Sequence, residues 1–352
     1  MELGFFTMPL HPPGSDTTKT LDDDLEQMIV LDELGYKEAY VGEHFTFTWE
    51  NIPSPDLFIA KAAALTENII FGTGITCMPI HNPAVVAHRI AQLDHQTHGR
   101  FHWGVGSSST PSDAEMFMAG EDRRRSTREG IDAVLKIWTD PEPGHYKTDF
   151  WEFKIPEYRP NIVSVHMKPY QKPHPPIALA GSSARSDTLI FAGERGWIPM
   201  SINLAHVPTI KTHWDAVEEG AEKTGLSPSR STWRIAREVY VADTTEQARK
   251  EALEGTLGRD FRDYWFKLFS PAHFKPNQDI ADADMSLEHL LDTLWIVGSP
   301  DHVANRLREL YDEVGGFGVL LAMGHEWDPK EQWLNSMTLL KNEVMPQLTD
   351  LT

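Results

Sequence analysis

Short apolar runs alternate with amphipathic helical stretches along the chain, and this rhythm restricts the fold more than any other feature. Leu3–Met8 is such a run, followed by the turn-rich stretch 9–15. Leu21, Leu25, Met28, Ile29 and Leu34 then follow the 3.6-residue period of a helix, with Gly35 as its expected C-cap. The pattern predicts a strand over Glu38–Val41, a helix over Pro55–Thr66, a strand over Ile69–Thr76, a helix over Pro83–Thr97 and a strand over Phe101–Gly106. A helix around Arg125–Trp138 precedes an irregular stretch rich in proline and aromatics, 140–176. Further strands are predicted at Ile177–Ala180, Trp197–Met200, Thr232–Val241 and Phe317–Ala322. Helices are expected at Arg185–Gly193, Val207–Lys223, between Glu246 and Phe269, and at Pro300–Tyr311 and Pro329–Asn342. Eight such units predict an α/β protein with a closed (β/α)8 TIM barrel. The alternative, an open doubly wound sheet, lacks a Gly-x-Gly-x-x-Gly turn after the first strand.

At 352 residues, 40% of them hydrophobic, residues 1–352 suit a single barrel domain, because such barrels run from about 200 to over 400 residues. Segments 140–176 and 270–286 exceed ordinary connections, so both are expected as insertions or lids over the barrel mouth. The net charge of −20, from 52 acidic and 32 basic residues, argues against nucleic acid or an anionic membrane as partner. Cys77 is the only cysteine, which excludes an intrachain disulfide framework and a cysteine-based zinc cluster. Residues 1–6 lack a basic n-region and form too short an apolar run for a signal peptide, and no window reaches membrane-spanning length. A cytoplasmic location is expected.

Catalytic groups of this fold lie at the C-terminal ends of the strands. Those ends carry Glu43 and His44, then Thr76, Cys77 and Met78, then Gly106, Ser107, Ser108 and Ser109. Gly181, Ser182 and Ser183 follow strand five, Met200, Ser201 and Asn203 follow strand six, and His325 and Glu326 follow strand eight. Gly-Ser stretches before helix N-termini suit a phosphate, with Arg185 just inside the following helix, although they are also ordinary caps and turns. A histidine at a barrel rim is a candidate acid or base, and Glu43 beside it would orient the imidazole or raise its pKa; either group has an equally plain structural role. Metal hydrolysis is disfavoured despite 16 histidines. His88, His95 and His98 fall on one outer helix, His102 begins its strand, and no ligand set meets at the rim. Phe5, Phe6, Met8, Phe45, Phe47, Trp49, Cys77, Met78, Met200 and Met323 are core by default, and would also furnish a dry pocket for a planar cofactor and an apolar substrate.

Taken in order, Glu43-His44, Gly72-Thr73-Gly74-Ile75 with Pro79 and Asn82-Pro83, Leu93-Asp94, Gly99-Arg100-Phe101 and Trp103–Gly106 form a family pattern. Pro175-Pro176-Ile177 with Ala180–Ser183, Val297–Pro300 and Gly316-Phe317-Gly318 continue it. In these pieces the chain resembles the bacterial luciferase-like flavin-dependent monooxygenases, and among them the limonene monooxygenase-like subgroup, over nearly its whole length. The resemblance implies a barrel that binds reduced FMN delivered by a separate flavin reductase, uses O2 through a flavin hydroperoxide, and oxidises a hydrophobic small molecule. It implies proton transfer or hydrogen bonding by His44, with Glu43 beside it. It also implies an isoalloxazine ring along Gly74, Thr76 and Cys77, where the family often has a non-proline cis peptide, with Gly106 and Ser107 as further cofactor-binding residues. Phosphate contacts would come from Gly181, Ser182, Ser183 and Arg125; Ser107 replaces an arginine that some members place after strand four. A homodimer through the helices after strands two and three is expected. A deazaflavin (F420)-dependent oxidoreductase and a non-catalytic flavin-binding relative are the alternatives.

Overall fold

The computed structural model describes residues 1–107, 110–276 and 279–351, so Ser108 and Ser109 lie outside the described residues. Eight parallel strands close on themselves: β1 Glu2–Thr7, β2 Glu38–Val41, β3 Ile70–Thr73, β4 Phe101–Gly106, β5 Ile177–Gly181, β6 Ile198–Ser201, β7 Arg234–Arg237 and β8 Val319–Gly324. Their order runs β3-β2-β1-β8-β7-β6-β5-β4, and pairing of Phe71 with Phe101 and Gly72 with His102 closes the ring. The seam is tight. A Cβ on Gly104 would lie 1.8 Å from the Thr73 carbonyl oxygen, so only glycine lets β4 approach here.

Two apolar layers follow from strand alternation. Outward-facing side chains such as Leu3, Phe5, Phe71 and Trp103 pack under helical residues such as Met28, Leu31, Ile59 and Val86. Inside the barrel a smaller cluster contains Tyr40, Ala178, Met200, Ala236, Leu321 and Met323. Full burial of each large aliphatic side chain contributes about 1.5–3 kcal/mol. The N-terminal end is closed by polar groups. Arg234 Nε and an Nη each donate to Glu38 at 2.9 Å, and the Tyr40 hydroxyl meets His102 Nδ1 at 2.9 Å. Burial pushes His102 down to about 4, so it is a neutral member of that plug, in keeping with its place at the start of β4.

Two predicted strands are interrupted. Ile69–Thr76 breaks after Thr73 at a cis Gly74–Ile75 peptide, and Thr76–Cys77 then pairs alongside Val105 and Gly106. Thr232–Val241 splits after Arg237, and Val239–Val241 leaves the barrel to pair with Ile296–Gly298. The Arg237 guanidinium fixes that departure by donating to the carbonyls of Asn203, Ala205 and Ala236.

No residue of segment 140–176, expected over the mouth, lines the mouth cavity. The segment forms an antiparallel hairpin, Gly144–Lys147 with Glu152–Ile155, and runs along the flank. Gln171 donates through its backbone and side chain to the buried Asp94 at 2.8 and 2.7 Å, Lys168 donates to the Ile137 carbonyl, and the Trp151 indole donates to the Ser126 carbonyl. These bonds hold it against helices Pro83–Gln96 and Arg123–Thr139. No described helix is long and apolar enough to cross a membrane.

Candidate active site

The C-terminal mouth of the barrel opens into a cavity of about 570 Å³. Strand ends supply an apolar base from Phe6, Ile75, Ala180, Met200, Leu321 and Met323. Trp265, Leu268 and Phe269 form an aromatic and aliphatic wall carried on the insertion after β7. This wall lies just before the predicted 270–286 lid, of which no described residue lines the cavity. Phe274 of that segment is instead buried among Phe261, Phe266 and Phe269, and its carbonyl accepts from His206. It buttresses the wall from behind.

His44 emerges after β2, stacks on Phe47 with centroids 5.0 Å apart, and lines the cavity. Its Nδ1 donates to Asp113 Oδ2 at 3.1 Å, and its Nε2 lies 3.4 Å from Glu50 Oε2. Burial alone would lower its pKa, but the charges of Glu50, Asp113 and Glu43 outweigh burial and hold His44 above the ordinary imidazole value. Asp113 is the organising acceptor. It takes the backbone N–H groups of Phe45 and Thr46 at 3.2 and 2.9 Å and the hydroxyls of Thr46 and Thr110. Burial opposes its ionisation, yet hydrogen bonds from His44 and Thr46 and the imidazolium charge keep its carboxyl far below the usual range.

Glu43 does not orient His44. Its carboxylate accepts from the Cys77 backbone N–H at 2.7 Å and contacts His81 Nε2 at 3.0 and 3.1 Å, so it fixes the β3 end rather than the imidazole. Through this bond Glu43 and Cys77 share the cavity lining with Gly74 and Gly106. Thr76 turns away from the cavity and donates to Thr73, whose hydroxyl bonds the Gly104 carbonyl.

Ser107, Ser182 and Ser183, after β4 and β5, line the cavity together with Arg123 and Arg124 at the start of helix Arg123–Thr139. Hydroxyls, guanidinium groups and a long helix's N-terminus make a donor set suited to a phosphate. Arg125 is outside the lining. It is half exposed and paired with Asp149 and Glu129, because neighbouring helix positions point about 100° apart. Gly181 packs beneath the loop, where a Cβ would meet Leu189 at 2.6 Å. Arg185 lies before the helix that begins at Asp187 and pairs with Glu219.

Sequence reading missed the chain of bonds that holds this loop. Trp233 donates to Ser201 at 3.0 Å, Ser201 meets His213 Nδ1 at 2.8 Å, and His213 Nε2 donates to the Ser183 carbonyl at 3.0 Å. Burial pushes His213 down to about 4, so it is neutral and can accept at one nitrogen while donating from the other. His325 and Glu326 are not at the reacting face either. His325 bonds Asp260 at 2.8 Å, and Glu326 joins Arg259 and His11 in a buried network.

Asp113→Ala should destabilise the fold by about 3 kcal/mol in urea unfolding at pH 7, since it leaves buried donors unpaired. Because the Asp113 pKa is depressed on folding, its contribution is complete above the unfolded value of 3.8 and is lost below it. The gap between wild type and variant should therefore shrink as pH falls below that value; a gap independent of pH would contradict the assignment.

The family model described as luciferase-like monooxygenase matches residues 1–316. The chain is 34% identical over 354 aligned residues to 4-hydroxyprotoasukamycin monooxygenase of Streptomyces nodosus subsp. asukaensis, covering 99% of this chain and 92% of the relative. It is 30% identical to limonene 1,2-monooxygenase of Rhodococcus erythropolis, covering 98% and 86%. Among solved structures, the oxygenating constituent of 3,6-diketocamphane monooxygenase from Pseudomonas putida, a type II Baeyer–Villiger enzyme in complex with FMN, superposes with a TM-score of 0.92 at 30% identity and 98% coverage of both chains. The eight-stranded barrel, the mouth cavity and these likenesses agree: the chain belongs to the luciferase-like monooxygenase family.

Proposed function

We propose that the chain is the oxygenating component of a two-component monooxygenase that uses FMN, reduced by a separate flavin reductase, to oxidise a hydrophobic small molecule with O2. The observation that carries this reading is one cavity that joins a phosphate-type donor set to an apolar chamber and an imidazole whose pKa is held above its ordinary value. The residues fit the cofactor. Ser182, Ser183, Arg123 and Arg124 would hold its phosphate, and Gly74, Ile75, Cys77, Gly106 and Ser107 would border its ring. When bound, reduced FMN supplies the two electrons that let one atom of O2 enter the substrate while the other leaves as water.

The protein's own part is positioning, drying and proton handling. Met200, Leu321, Met323 and the Trp265–Phe269 wall exclude water and favour a terpene-like or alicyclic ketone substrate over a polar one. His44 holds a proton at the cavity face, ready for a developing negative charge, and Asp113 fixes its orientation. Dependence on a reductase fits a cytoplasmic enzyme. We also infer self-association through helices Pro55–Ala63 and Pro83–Gln96, which leave Leu57 and Val85 71% and 51% exposed.

The test is product analysis under ¹⁸O₂ with FMN, a flavin reductase, NADH and a panel containing limonene and camphor-derived diketones. One labelled oxygen in the product is expected, and His44→Asn should lower its formation at least ~10-fold with FMN binding retained. Reduction or oxidation of the panel by deazaflavin with no label would instead favour the F420 reading. Sedimentation velocity should show a dimer that Leu57→Glu with Val85→Glu converts to monomer; an unaltered sedimentation coefficient would put the interface elsewhere.

A further inference from the structure

Glu50 is 6% exposed, yet it lines the cavity. Its Oε1 accepts from the Tyr264 hydroxyl, while its Oε2 makes no hydrogen bond among the described residues and stands 3.4 Å from His44 Nε2. Tyr264 belongs to the π-helical turn Phe261–Trp265, directly before the residues that wall the cavity. Its ring stacks on Trp49 with centroids 5.7 Å apart and meets Phe47 edge-on at 6.1 Å. The aromatic wall is thus linked to the imidazole by one polar path, Tyr264 to Glu50 to His44.

We propose that Glu50 and Tyr264 are positioning residues that tie the second proton of His44 to the seating of the aromatic wall. Glu50 faces the nitrogen that Asp113 does not hold. A carboxylate there favours the doubly protonated imidazole, and the Tyr264 hydroxyl favours the carboxylate over the neutral acid. Burial raises Glu50 to about 7, so carboxyl and imidazole compete for a proton near neutral pH. The other charges acting on His44 are Asp113 and Glu43, and the further charged side chains in the same lining are Glu121, Asp122, Arg123 and Arg124. None of these is carried by the wall. Tyr264, through its bond to Glu50, makes the proton inventory depend on it.

The inference rests on the proposed role of His44, and its test reads the imidazole separately from turnover. In cofactor-free protein labelled with ¹³C-histidine, the His44 signal is assigned by its loss in His44→Asn and titrated. The wild-type midpoint should lie above 6.5. Glu50→Gln should lower it by about one unit, a tenfold loss of proton affinity. Tyr264→Phe should lower it by less, and Glu50→Asp should restore most of it. Tyr264→Phe removes a single hydroxyl and keeps the test available if Glu50→Gln fails to fold. Midpoints unchanged in both variants would overturn the proposal. Shifted midpoints with an unshifted pH profile of kcat would uphold the linkage and remove His44 from the reaction.

Discussion

Burying the His44 imidazole beneath an aromatic wall costs free energy, and much of the mouth is arranged to offset that cost. Two carboxylates from different segments face its two nitrogens, and each has its own donors. Asp113 draws the 45–46 backbone and two threonine hydroxyls around itself, which fixes the loop after β2. Glu50 draws in Tyr264 and with it the insertion after β7. That insertion is anchored again at its base, where Arg259 bridges Glu326 and Asp260, Asp260 bonds His325, and His11 bridges Glu326 and Asp24. The pairing holds His11 up to about 9 against the effect of burial, so the anchor is charged at neutral pH. Buried ion networks of this kind add little net stability, but removal of one member strands the others. They fix where the wall sits.

The other end of the cavity is held by neutral bonds. The relay from Trp233 through Ser201 and His213 to the Ser183 carbonyl holds the Ser182–Ser183 loop at the cavity. The positive groups, Arg123 and Arg124, come from the next element round the barrel. Apolar strand ends lie between these poles, so charge is handled at the edges and the chamber itself stays dry.

The fold was legible because alternation of strand and helix is a local property repeated eight times, and Glu43-His44 was legible because strand ends in a barrel are addresses. What sequence reading missed is long-range. Asp113 is 69 residues from His44, and nothing in Thr110–Asp113 signals that its carboxylate turns toward β2. Glu43 was the neighbour in sequence, but its side chain follows the strand's alternation toward His81 and Cys77. Arg125 fell to helical geometry, since Arg123 and Arg124 share the cavity face and Arg125 does not. Length revealed that 140–176 was surplus to the barrel, but its docking depends on Asp94 and Ile137, which carry no mark of that role.

Under the proposed function, the mouth recognises FMN by its phosphate, at Ser182, Ser183, Arg123 and Arg124. The most direct measurement is a pair of fluorescence titrations of the protein with FMN and with riboflavin, which differ only in that phosphate. Two charge-assisted contacts predict FMN binding tighter by about 100-fold, with most of that preference lost when Arg123 and Arg124 are both replaced by alanine. Equal affinity for the two flavins, or a preference untouched by those substitutions, would put the phosphate elsewhere.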